Sequence, residues 1–146
     1  MKKLTLSIAV VAAMIAGCKK DDKDQSRRDM ITGAWTISQG GTDANNNGII
    51  DAGEVENASD TTMSGTMTFN NNGTAAAVFN VMGLPIGLSG TWELVNNENA
   101  LRMISTFAGS TDTSYFEIKA LSTSNLTLRD TLGASMNDAS WIVLKK

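Results

Sequence analysis

From Met30 onward the apolar residues of this chain recur at every second position, in runs too short for an ordinary amphipathic helix. Trp35 and Ile37 share one face of a first run, Met63, Met67 and Phe69 of a second, and Ala75, Ala77, Phe79 and Val81 of a third. Leu88, Trp92 and Leu94 mark a fourth, Leu101, Met103 and Phe107 a fifth, Phe116, Ile118 and Ala120 a sixth, and Leu126 and Leu128 a seventh. Alternation at period two is the pattern of a strand with one buried face. An eighth run, Ser140 to Leu144, is apolar on both faces, which suits a strand that closes a sheet. Asn70-Asn71-Asn72-Gly73 reads as a hairpin turn, since Asn and Gly accept positive φ. Met82 to Gly87, around the only proline, Pro85, reads as a looser apolar connection. About eight strands is the number that closes a small barrel and removes its edges. The expected fold is therefore all-β, a small eight-stranded up-and-down antiparallel barrel.

Two hairpins set the register. A turn centred on Asn97-Glu98 places Glu93 opposite Arg102, and a turn around Thr123 places Glu117 opposite Arg129. Opposite charges across a ladder contribute roughly 0.2–1 kcal/mol each. These acids read as partnered surface residues rather than a catalytic pair.

Between the first and second runs lies Asp43-Ala-Asn-Asn-Asn-Gly-Ile-Ile-Asp-Ala-Gly-Glu54. It resembles the twelve-residue calcium loop of an EF-hand. Asp43, Asn45, Asn47, Ile49, Asp51 and Glu54 stand at the ligand positions and Gly48 at the sharp turn. Calcium is a hard cation that takes about six to eight oxygens, so alternate residues must point inward while the chain reverses. The resemblance implies side-chain oxygens from Asp43, Asn45, Asn47 and Asp51, a backbone carbonyl from Ile49 and two oxygens from Glu54. The other reading is a polar Asn-Gly turn. No incoming helix is visible, because Ala34 to Gln39 alternates like a strand and ends in Gly40-Gly41. One helical turn over Val55-Glu56-Asn57 is expected after the loop. No second loop exists to pair with it, so the opening motion of a paired sensor is not implied. Three acidic ligands suggest weak affinity, on the order of 10⁻⁴–10⁻³ M.

The first seventeen residues form an address. Met1-Lys2-Lys3 is basic, and Leu4 to Ala16 is an apolar stretch shorter than the ~20 residues of a span. Ile15-Ala16-Gly17-Cys18 resembles a bacterial lipobox. The resemblance implies cleavage before Cys18, acylation of that residue and a stable membrane anchor. Cys18 is the only cysteine, so no intramolecular disulfide forms. Lys19 to Asp29 is densely charged and reads as a solvated tether, so residues 18–29 are acylated Cys plus tether and residues 30–146 the barrel domain. Lys19-Lys20-Asp21-Asp22 resembles the surface-export signal of some Gram-negative lipoproteins. The expected location is the outer membrane, outward-facing, with the periplasmic face as the alternative.

Composition removes several functions. There is no histidine, which excludes serine triads and His-built zinc sites as commonly assembled. The chain carries 12 Lys and Arg against 15 Asp and Glu, and the leader would remove Lys2 and Lys3. An acidic domain is not built for nucleic acid. The chain is expected not to be an enzyme.

Ile31-Thr32-Gly33-Ala34-Trp35-Thr36 resembles the Gly-x-Trp start of lipocalins. The Phe-Asn-Asn-Asn-Gly-Thr hairpin, the Gly90-Thr91-Trp92-Glu93-Leu94 strand, a late Leu-x-Leu strand and the closing strand follow in the order seen in lipocalin-like domains of small bacterial lipoproteins. The resemblance covers Met30 to Lys146. It implies that Trp35 closes the barrel floor.

Met63, Met67, Phe69, Phe79, Trp92, Met103 and Phe107 are the candidate lining of an apolar pocket. Small barrels are often simply filled with side chains, and a solid or nearly solid core is the first expectation. Two functions follow. One is a membrane-anchored binding module for a small apolar ligand, stabilised by one Ca²⁺. The other is a protein-interaction or structural lipoprotein with a solid core, such as an inhibitor or an accessory subunit of a surface complex. A cavity above ~300 Å³ favours the first, and an exposed Met82–Leu88 patch over a filled core favours the second.

Overall fold

The computed structural model describes residues 25–59, 63–130 and 139–146. The leader, Cys18 and the charged stretch up to residue 24 lie outside the described residues. A short helix, α1 (Arg27–Ile31), precedes nine strands: β1 (Gly33–Asp43), β2 (Val55–Asn57), β3 (Met63–Phe69), β4 (Thr74–Val81), β5 (Leu84–Val95), β6 (Ala100–Phe107), β7 (Ser110–Leu121), β8 (Asn125–Asp130) and β9 (Ala139–Lys145). Every pairing is antiparallel, β3 to β9 follow in chain order, and β1 pairs with both β3 and β9. Eight strands thus close into an up-and-down barrel, as the alternation predicts. The ninth, β2, is an addition on the edge of β1.

The barrel is filled from one end. Trp35, Phe69, Trp92, Leu101, Phe116, Leu126, Leu128 and Leu144 are buried in one cluster. Full burial of such a side chain contributes roughly 1.5–3 kcal/mol. Phe69 meets Trp92 edge to face at 5.5 Å. The expected cross-strand pairs are present: Glu93 faces and pairs with Arg102, and Glu117 faces Arg129 at 3.3 Å.

Helix α1 plugs that end. Ser26 Oγ accepts from the Asp29 N–H and donates to the Asp29 carboxylate, and Ile31 inserts fully into the core. The indole N–H of Trp35 donates to the Ile31 carbonyl at 2.6 Å. The Lys146 ammonium lies 4.5 Å over the Trp35 ring and donates to the Met30 and Thr32 carbonyls. Arg28 lies 4.7 Å over Trp92 and donates to the Asn71 carbonyl. The sequence assigns Arg27, Arg28 and Asp29 to the tether. In the structure residues 27–31 form α1, and the guanidinium of Arg28 meets an aromatic face and an acceptor at the floor.

The opposite end carries the β4–β5 and β6–β7 hairpins. Met82 and Gly83, both at positive φ, make a two-residue turn with Val81 opposite Leu84. The expected loose connection is therefore a tight hairpin, and Pro85 lies within β5. Pro85 is tolerated because its partner pair with Asn80 follows the hydrogen-bonded Val81–Leu84 pair, and β6 pairs with β5 only from Ser89 onward. No ladder bond is lost. The β4–β5 and β6–β7 hairpins leave Met82 82%, Leu84 69% and Phe107 54% exposed.

Candidate metal centre

The loop grows out of the barrel's closing seam. Asp43 is the last residue of β1 and pairs with Ala139, the first of β9. After the loop the chain returns as β2, with Gly41 opposite Val55 and Gln39 opposite Asn57. The Thr42 N–H donates to the Glu54 carbonyl at 3.0 Å. The expected helical turn over Val55–Asn57 is therefore a strand, since the free edge of β1 beyond β3 offers it a ladder. Gly41 permits this approach, because a Cβ there would stand 1.8 Å from the Glu54 carbonyl oxygen.

Within the loop every expected side-chain donor is held in place. The Asp43 carboxylate accepts from the Asn47 N–H at 3.1 Å on Oδ1 and from the Gly48 N–H at 2.9 Å on Oδ2. Asn45 Oδ1 accepts from the Asn47 N–H, and Asn47 Oδ1 from the Ile49 N–H. The side-chain amides of Asn45 and Asn47 both donate to Asp51 Oδ2 at 2.8 Å. Glu54 accepts from the N–H groups of Ala44 and Asp51, one on each oxygen. Gly48 turns the chain at φ 73° and Asn46 at φ 57°. Ile49 projects its side chain into solvent.

Among the described residues no group of three or more Asp, Glu, His or Cys side chains gathers closely enough to hold a metal ion. Half of the candidate donor set is not of that kind, being the amides of Asn45 and Asn47 and the carbonyl of Ile49. In donor chemistry the set fits a hard cation, because every member is an oxygen. The two amide N–H groups that meet Asp51 occupy the place where that carboxylate would meet positive charge. The loop residues therefore fit the ion in chemistry, with its carboxylates engaged by hydrogen-bond donors in the structure described.

One residue of the site is not legible as such in the sequence. Arg129, on β8, reaches past β9 and donates from Nε to Asp43 Oδ2 at 2.6 Å. Its Nη2 donates to Asn46 Oδ1 and its Nη1 to Glu117 at 3.3 Å. Asp43 is fully buried and Arg129 nearly so, although both lie on the outer wall rather than in the core cluster. Burial would raise the Asp43 carboxyl, but Arg129 and the N–H groups of Gly48 and Asn47 outweigh it and hold the group below the usual carboxylate range. A lowered folded value means that Asp43 supports the fold above its unfolded pKa of about 4 and loses that support as pH falls through the folded value. The Lys119 ammonium stands beside the same wall, 3.6 Å from Glu117 and close to Gly48.

The barrel interior divides the candidate pocket residues. Met67, Phe79 and Met103 line a cavity of about 110 Å³ together with Leu88, Phe116 and Ile142. Phe69 and Trp92 do not line it, being packed against each other below. Phe107 is inward in register, but its hairpin projects beyond the wall and exposes it. Met63 begins β3, and its side chain lies outside the described residues. A larger open groove of about 500 Å³ runs beside the loop stem, lined by Gly40, Gly41, Thr42, Glu54 and Glu56 among others.

No protein-family model matches the chain. No curated protein matches it. Among solved structures, a redesigned β-barrel is similar over 82% of this chain and 94% of its own length, at 12% identity and a TM-score of 0.49.

Proposed function

We propose that the protein is a lipid-anchored, non-enzymatic interaction module whose Asp43–Glu54 loop takes one Ca²⁺. The observation that carries the calcium reading is the loop itself. Asp43, Asn45, Asn47, Asp51 and Glu54 are linked by hydrogen bonds to one another and to the loop backbone around one short reversal at Gly48. These residues and the Ile49 carbonyl would hold the ion, which would supply a fixed double charge and tie the loop to the seam. The lipobox-like Ile15–Cys18 supports an acyl anchor at Cys18, in the outer membrane with the domain outward. The chain enters at the floor, through α1. The loop and the exposed Met82, Leu84 and Phe107 stand at the other end and would face away from the anchor.

The cavity bears on the choice between the two binding classes. At about 110 Å³ it is well below the ~300 Å³ of a usual ligand pocket. It is also smaller than an engineered cavity of ~150 Å³ that holds benzene. This favours the nearly solid barrel that acts through its surface, with the apolar rim as contact patch. An apolar ligand inside remains a reading only for a molecule of a few heavy atoms.

Glu54→Gln tests the calcium reading. It removes one charge and keeps the shape, so calcium affinity should fall by on the order of tenfold or more, charge count being what separates affinity classes. The measurement is the melting temperature across a calcium series. An unchanged calcium response in Glu54→Gln would return the loop to a polar turn.

A further inference from the structure

Arg129 engages the loop more completely than a surface ion pair requires. Its fork spends Nε on Asp43, Nη2 on Asn46 and Nη1 on Glu117, so it ties the loop across β9 to β8 and β7. A guanidinium does not lose its proton in a protein, so this charge is permanent. A buried carboxylate without a partner is strongly unfavourable, so something positive must stand beside Asp43 whether or not an ion is bound. An ionised carboxylate offers about four lone-pair sites. Arg129 and Gly48 take the two on Oδ2, and Asn47 takes one on Oδ1. The site left over is on Oδ1, the oxygen that Asn47 of the loop also contacts. Asp43 is fully buried, so a cation reaches that oxygen only as the loop rearranges around it, and the lone pairs that Arg129 uses are not the ones it needs.

We infer that Arg129 is the resident counter-ion of the calcium loop, holding Asp43 in place when no ion is bound and thereby weakening the affinity for Ca²⁺. This rests on the calcium reading of the loop. Two cations that share one carboxylate repel each other, so a loop docked in advance by Arg129 gives up affinity for the ion. Lys119, beside Glu117 and Gly48, adds to the same positive wall. The arrangement keeps the loop folded at low calcium and sets the response to high calcium.

The test is calorimetric titration of Ca²⁺ into the chelated full chain, for wild type, Arg129→Gln and Arg129→Lys, with melting of each sample. Arg129→Gln should bind calcium on the order of tenfold more tightly than wild type, a coupling of ordinary size between adjacent sites. Its ion-free form should melt lower, and saturating calcium should recover most of that loss. Should ion-free Arg129→Gln fail to fold, added calcium should fold it, and a chain that stays unfolded at saturation overturns the inference. Arg129→Lys keeps the charge, so its affinity should stay within about threefold of wild type. Binding by Arg129→Gln that is equal to or weaker than a binding wild type overturns the role of Arg129 alone. Absence of binding in all three chains overturns the calcium reading and this inference with it.

Discussion

The chain contains the tetrapeptide Asn-Asn-Asn-Gly twice, at Asn45–Gly48 and Asn70–Gly73, and gives it two different structures. At Asn70–Gly73 it is a plain hairpin turn. The Gly73 N–H donates to the Asn70 carbonyl, Asn72 Oδ1 takes the N–H and hydroxyl of Thr74, and only Gly73 of the four has positive φ. At Asn45–Gly48 the same residues point toward carboxylates. Asn45 and Asn47 donate to Asp51, and the backbone of Asn47 and Gly48 donates to Asp43. The difference lies in what flanks the four residues. Asp43, Asp51 and Glu54 surround one copy, and a buried arginine fixes it to the wall. Phe69 and Thr74 flank the other, which no carboxylate among the described residues surrounds and which Arg28 and Trp92 meet through the Asn71 and Asn70 carbonyls. A short Asn-Gly motif carries little structure alone; the acids around it decide whether it closes a turn or encloses a charge.

Five substitutions press on this contrast. Gly41→Ala has the largest expected effect. The new Cβ would meet the Glu54 carbonyl oxygen and push β2 off β1. Destabilisation of ~1–3 kcal/mol is expected from such overpacking, measured by denaturant unfolding. The calcium response of the melting temperature should vanish with the stem. Retention of both would mean that the loop does not depend on its ladder. Next come Gly48→Ala and Gly73→Ala, each placing a side chain at positive φ at a cost of about 1 kcal/mol. The added Cβ at Gly48 also crowds the Lys119 ammonium, which is flexible enough to move. The two stabilities should therefore be similar, but only Gly48→Ala should change calcium binding. The smallest effects on stability belong to Asn47→Ala and Asn72→Ala, about 0.5 kcal/mol each for exposed hydrogen bonds. Here the sharper readout is the ion. Asn47→Ala should weaken calcium binding and Asn72→Ala should leave it unchanged. Equal behaviour of the pair in a calcium titration would erase the distinction between the two copies.

The eight barrel strands were legible because one buried face writes itself into the sequence at period two, and the pairs Glu93–Arg102 and Glu117–Arg129 were legible because tight turns fix register locally. The oxygen-bearing residues of the loop were legible from spacing. Arg129 was not, since its contact with Asp43 depends on how β1 and β9 pair across the closing seam, 86 residues apart in sequence. No local signal carries that register. Strand β2 was hidden for a related reason, because three residues acquire a partner only once Gly41 allows close approach. Helix α1 was obscured by charge. Arg28 looks solvated until a Trp92 face is placed beneath it. The Met82–Gly83 hairpin was masked by its apolar flanks and by Pro85, whose missing donor is harmless only at that pairing position. Phe107 alternates like a core residue, yet its hairpin outruns the barrel.

The most direct measurement is calorimetric titration of calcium into the full wild-type chain after chelation, followed by melting with and without the ion. The account predicts saturation of one site, weak enough to need on the order of 0.1–1 mM calcium, and a higher melting temperature in the loaded sample by mass action. No heat and no shift up to several times that concentration would contradict it, and Asp43–Glu54 would then be a second Asn-Gly turn held to the barrel by Arg129.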